Sequence, residues 1–140
     1  MEMEIRFAGV QKVETRLKGA TITVGSDIEN ESGLEPLDLF FISLGLCAGK
    51  YVMEFCRTRD IPYKDTKILL RTQWDEDKKM HTQVLIQIQL PQEFPAKYKK
   101  AVIRAVDLCS VKKHIFTPPA FEVDAHIRNY EEGDIGAEAT

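Results

Sequence analysis

The chain has 140 residues, enough for one domain with a core of its own. Its residues are 44% hydrophobic and 29% charged, and its net charge is −3. That balance fits a soluble globular protein, supplies no basic footprint for nucleic acid, and leaves no apolar run of membrane-spanning length. The N-terminus, Met1-Glu2-Met3-Glu4-Ile5-Arg6, is charged and lacks the apolar stretch of a signal peptide, so the expected compartment is the cytosol.

Residues 3–8, 11–17 and 20–24 read as three short strands, with β-formers at Thr15, Leu17, Thr21, Ile22 and Val24 and turn residues at Gly9 and Lys18-Gly19. Residues 25–35 are polar and read as a loop. Pro36 suits the first position of a helix, and Asp38 suits its first turn, where a negative charge is favourable. Residues 39–49, LFFISLGLCAG, carry no charge and are apolar on every side, which predicts a helix covered all round. That helix should end near Arg59-Asp60. Residues 67–74 and 82–90 read as a strand pair around the charged hairpin loop 75–79. Pro91 and Pro95 break the chain. A second helix is predicted from about residue 96 to residue 115, and a last strand over 121–127. Residues 130–140 read as an acidic tail after a single domain at 1–129. The order βββ-α-ββ-α-β places the chain in the α+β class. One sheet cannot readily cover a helix that is apolar all round, so a homodimer is expected.

Three cysteines, Cys47, Cys56 and Cys109, are too few and too irregularly spaced for a disulfide framework or a structural zinc site. Cys47 lies within the uncharged helix, with Lys50 three residues on. Cys109 is followed by Lys112, Lys113 and His114. Nearby positive charge favours the reactive thiolate, so both are candidate redox residues, although a free cysteine is also commonly a buried small hydrophobe. Cys56 is nine residues from Cys47, half a turn out of phase, and reads as packing. His81 and His126 have no metal-ligand partner at useful spacing, and Trp74 reads as sheet packing.

Glu35-Pro36-Leu37-Asp38-Leu39 followed by Leu44-Gly45-Leu46-Cys47, together with Arg104-Ala105-Val106-Asp107-Leu108-Cys109-Ser110-Val111, resembles the two cysteine segments of the OsmC/Ohr family. The order of elements fits from about residue 3 to 129. The resemblance implies an intertwined dimer with two central helices wrapped by antiparallel sheets. It also implies thiol-dependent reduction of organic hydroperoxides, with Cys47 peroxidatic, Cys109 resolving, an external thiol as reductant, and no metal or organic cofactor. Members competent as peroxidases carry a Glu directly after the Pro. Here that place is Leu37, and the carboxylate follows at Asp38. Such members also hold the first thiolate with an Arg from the N-terminal strands, for which Arg16 is the nearest candidate. Ser110 stands where many members have Pro, as in a less-characterised branch. Two further readings stand beside the peroxidase. One is a non-catalytic dimeric module that binds a small lipophilic ligand in the groove of the apolar helix. The other is a hotdog-type thioesterase using Ser43, the one polar side chain inside that helix.

Overall fold

The structure, a computed structural model, describes residues 1–25 and 33–127. Strands β1 (Ile5–Gly9), β2 (Lys12–Leu17) and β3 (Ala20–Gly25) form an antiparallel meander in that order. Lys18 and Gly19 both take positive φ, 50° and 83°, in the two-residue turn whose twist matches the strands it joins. Gly25 has φ of 101°, and a Cβ there would overlap the carbonyl of Gln11, so the strand end requires glycine. No residue of this sheet is buried.

Helix α1 (Pro36–Arg57) begins as the sequence predicts. The Asp38 carboxylate accepts a 2.8 Å hydrogen bond from the backbone N–H of Glu35, closing the first turn. The other end is closed by Asp60 in the left-handed region, with Ile61 N–H returning 2.9 Å to the Cys56 carbonyl and the Ile61 side chain entering the core. Strands β4 (Lys67–Asp75) and β5 (Met80–Gln89) form an antiparallel ribbon with a bulge at Gln73/Trp74. The core lies between that ribbon, α1 and the next helix. Ala48, Val52, Phe55 and Cys56 of α1 meet Val102 and Val106, with Phe94 and Ile61 closing the end and Ile68, Ile86 and Ile88 forming the sheet side.

At 22 residues, α1 is long and apolar enough by composition to cross a membrane, with a mean hydropathy of 1.5 over 18 residues. The uncharged run itself is only residues 39–49; the helix reaches spanning length, against the expectation that no segment does, because that length also takes in charged residues such as Lys50. One face of α1 nevertheless carries much of the core, as a central helix of a folded domain does. Its other side is not covered by the described residues: Leu37, Phe40, Ile42 and Leu46 are exposed.

Two further expectations are corrected. The single helix expected over 96–115 is a 3₁₀ turn (Ala96–Tyr98), α2 (Lys99–Asp107) and α3 (Ser110–Phe116). Cys109, with φ −47° and ψ 122°, breaks the helix and caps α3. Tight turns from Leu108 to Ala105 and from Cys109 to Val106 end α2, and the Lys113 N–H to Cys109 carbonyl bond starts α3. The break turns Cys109 inward to 1% exposure and leaves Leu108 outside. The strand expected over 121–127 is likewise absent. The segment is irregular, with Phe121, Val123 and Ile127 exposed, because among the described residues no sheet edge pairs with it to complete a ladder. Most of the loop expected over 25–35, and the tail expected from 130, lie outside the described residues.

Candidate active site

Cys47 and Cys109 are brought together by the packing of α1 against α2 and α3. Cys47 is half-buried, one residue before fully buried Ala48 and three after buried Leu44, so its helix face is anchored by the core. Cys109 reaches it from the break between α2 and α3. All three cysteines are free thiols.

The two thiols are biased in opposite directions. Burial pushes Cys47 up, but this is outweighed by hydrogen bonding from the Cys109 side chain, the Val111 N–H, and the hydroxyl and N–H of Ser110, so Cys47 lies below the ordinary thiol value. Burial also pushes Cys109 up. Its interaction with Cys47 adds to that, the N–H groups of Lys112 and Val111 oppose it, and the balance leaves Cys109 raised. Cys47 is therefore the thiol inclined to ionise, and Cys109 is the one that keeps its proton and presents it to Cys47. Cys56 is fully buried in the core, where burial raises it and Arg59 only partly compensates.

The supporting residues expected from the sequence lie elsewhere. Lys50 is exposed and lines an open groove between α1 and β4. Arg16 is exposed on β2, in the sheet that contributes no buried residue. Asp38 caps α1. Among the described residues, none of these three is among the groups that act on Cys47. The residues that sequence reasoning did not place there are Ser110 and Val111. Nothing in residues 104–113 marks the break that aims them, since the stretch contains neither Gly nor Pro.

Ser43, the residue a thioesterase would need, spends its hydroxyl on the Phe40 carbonyl at 2.6 Å. Trp74 and Phe41 make edge contacts to His81, with centroids 5.1 Å and 5.0 Å away. His126 lies in the exposed segment after α3. The groove beside Lys50, about 660 Å³, is lined mainly by Ile42, Gly45, Leu46, Gly49, Met53, Ile68 and Leu70, and Cys47 does not line it. Among the described residues no cluster of His, Cys, Asp or Glu has the arrangement to hold a metal ion.

Residues 28–124 match the family model described as OsmC-like protein. Among solved structures, a protein from Psychrobacter arcticus 273-4 described as an osmotic stress induced and detoxification response protein is 21% identical, with a TM-score of 0.65 over 79% of this chain and 85% of its own. A hypothetical protein from Aquifex aeolicus VF5 is 24% identical, with a TM-score of 0.61 over 84% of this chain and 87% of its own. These two likenesses show a shared fold. The organic hydroperoxide resistance protein OhrB of Bacillus subtilis also matches, at 13% identity and a TM-score of 0.49, over 81% of this chain and 90% of its own. No curated protein matches.

Proposed function

The chain belongs to the OsmC-like protein family, and on that footing we propose that it reduces organic hydroperoxides with Cys47 and Cys109 as its redox pair. The observation that carries this reading is that the packing of α1 against α2 and α3 brings Cys47, half-buried, together with Cys109, buried at the break between the two helices. The Cys47 thiolate attacks the terminal oxygen of R–O–OH. The O–O bond breaks, Cys47 becomes a sulfenic acid, and the leaving alkoxide takes the Cys109 proton to depart as the alcohol. Cys109, now a thiolate, attacks the Cys47 sulfur, forming the disulfide and releasing hydroxide. An external thiol returns both cysteines to the reduced state in two exchange steps and is itself oxidised to its disulfide. In this scheme the proton that assists the first step is the one whose loss activates the second nucleophile.

No metal or organic cofactor enters the reaction. We place the protein in the cytosol, where a thiol pool supplies the reductant, and assign it as a homodimer. Support for the dimer comes from the uncovered side of α1 and the exposed apolar residues of β1 and 121–127.

One observation favours a second reading. The apolar groove between α1 and β4 is open, and among the described residues no cation acts on Cys47. Both suit a module that binds a lipophilic molecule without turning it over. Treatment of the reduced protein with stoichiometric cumene hydroperoxide, followed by a thiol count and intact mass, separates the two. The peroxidase loses two thiols and two hydrogens, with Cys56 spared. A binding module keeps all three thiols over an hour.

A further inference from the structure

We propose that the cleft between β5 and α2 binds a small amphipathic anion, an unbranched apolar chain ended by one negative group, with Lys99 receiving the head. This site is separate from the two-thiol site and from the groove between α1 and β4, and it does not rest on the peroxidase reading.

Strand β5 belongs to a two-stranded ribbon, and among the described residues its second edge is unpaired. Leu85, Ile86, Gln87 and Ile88 all line the cleft. Successive residues of a strand point to opposite faces, so a run of four marks the strand's edge and not one of its faces. The opposite wall is α2, where Val102 and Val106 are buried and Ile103 is 46% exposed. The cleft holds about 420 Å³, within the roughly 300–1,000 Å³ of small-molecule sites. An alkyl chain lying in it is taken out of water together with Ile103 and the edge of β5, and that burial favours binding.

The charged groups stand at the two ends of this wall. Lys99 opens α2 and Asp107 closes it, and both line the cleft. Eight residues of helix set their backbones ~12 Å apart. At the far end Asp107 is held by Lys112 in a 3.0 Å ion pair, with the Lys112 side chain 21% exposed. Those two charges compensate each other. Lys99 is exposed and has no ion-pair partner among the described residues. The cleft therefore carries one uncompensated positive charge at one end of an apolar trough. Its complement is a single negative group at one end of an apolar chain of about that length.

The surroundings add to the same selection. Residues 96–113 hold six Lys or Arg and a single acid, Asp107, in a chain whose net charge is −3. A positive region on an otherwise acidic protein concentrates anions where the cleft opens. A cationic amphiphile meets an opposing field there, and a neutral one gains only the apolar contribution. No cysteine lines the cleft, so occupancy needs no thiol chemistry. Its volume suits one chain, which makes the ligand a free amphiphile in solution and not a bilayer surface.

The test is isothermal titration of the full-length reduced protein with decanoate below its micellar range, beside decanol and decyltrimethylammonium. Decanoate is expected to bind once per chain, more tightly than either of the others, and more weakly as salt rises. Lys99→Gln is expected to weaken decanoate ~5-fold more than it weakens decanol, the size of one exposed charge contact. Ile103→Asp, on the exposed lip of the same cleft, is expected to weaken both. Equal binding of the three amphiphiles overturns the proposal, and so does a Lys99→Gln protein that binds decanoate as wild type does. Absence of decanoate binding overturns it too, the result expected if a strand of a second copy fills the edge of β5. Weakening by Lys50→Gln in place of Lys99→Gln moves the ligand to the groove between α1 and β4 and likewise overturns it.

Discussion

Cys47 and Cys109 are 62 positions apart, and the structure makes them chemically unequal. That inequality separates the expected behaviour of two variants. Cys47→Ser should abolish hydroperoxide turnover, because it removes the attacking sulfur. Cys109→Ser should allow a single oxidation and leave Cys47 as sulfenic acid, which a sulfenic-selective dione labels and excess peroxide carries on to sulfinic acid. Equal loss in both variants, with no labelled intermediate, would deny them separate roles. Both cysteines were legible in the sequence, because each stands beside cationic or apolar features that make a thiol noteworthy. The reason for their inequality was not. It depends on Ser110 and Val111, whose aim is set by a backbone break that no Gly or Pro announces. The visible charges, Lys50 and Arg16, point elsewhere, since spacing along a helix shows which side a residue occupies but not what packs on it.

The thiols also link stability to pH, and the signs differ. Cys56 and Cys109 are raised, so the fold favours their protonated forms; that contribution is complete below the ordinary thiol pKa of about 8.5 and is lost as pH rises through their folded values. Cys47 is lowered, so the fold favours its thiolate; that contribution is present above the unfolded value and lost as pH falls through the folded one. Two of the three therefore weaken the fold in alkali. The urea midpoint of the reduced protein should decline above about pH 8.5, and Cys56→Ala should flatten part of that decline. A midpoint in Cys56→Ala that falls as steeply as in wild type would place the alkaline sensitivity elsewhere.

Helix α1 shows how far element-level signals reach. Pro36 and Asp38 marked its start, and the start is where they put it. Asp38, considered for a role beside the thiol, instead ties the Glu35 N–H to the first turn. Asp38→Ala should cost about 0.5–1 kcal/mol of unfolding free energy and leave the rate of Cys47 labelling unchanged. A slowed Cys47 with unchanged stability would return Asp38 to the active site. The second helix shows the limit of the same signals. Val102, Val106 and Cys109 keep a helical rhythm, so the apolar pattern survives a break that changes the direction of everything after residue 108. Residues 121–127 show a different limit. Phe121, Val123, Ala125 and Ile127 alternate as a strand should, yet alternation records which face is apolar and not where the ladder partner lies.

At the scale of the whole molecule these uncovered parts belong together. The core joins α1, α2 and the β4–β5 ribbon. The β1–β3 meander contributes nothing buried to it, and the segment after α3 runs unpaired. Phe7 is 89% exposed, Leu46 on the outer side of α1 is 70% exposed, and Val123 is 99% exposed. Scattered exposed hydrophobics are ordinary, but a helix face, a whole three-stranded sheet and an alternating apolar segment left open in one chain are more than a monomer usually presents. A second copy offers each of them a partner: another α1 face for α1, and sheet edges for 121–127. Such an assembly has little folded monomer, so its stability should rise with protein concentration. Light scattering at low micromolar concentration should give twice the 16.0 kDa chain mass. Leu46→Lys, which puts a charge on the outer face of α1 away from the core residues Ala48 and Val52, should shift the population toward monomer and lower the thermal midpoint, and the midpoint should then depend more steeply on concentration. A Leu46→Lys protein that keeps the wild-type mass and midpoint would remove α1 from the interface. A wild-type chain that scatters as a stable monomer would remove the dimer altogether and leave the open faces for a different partner.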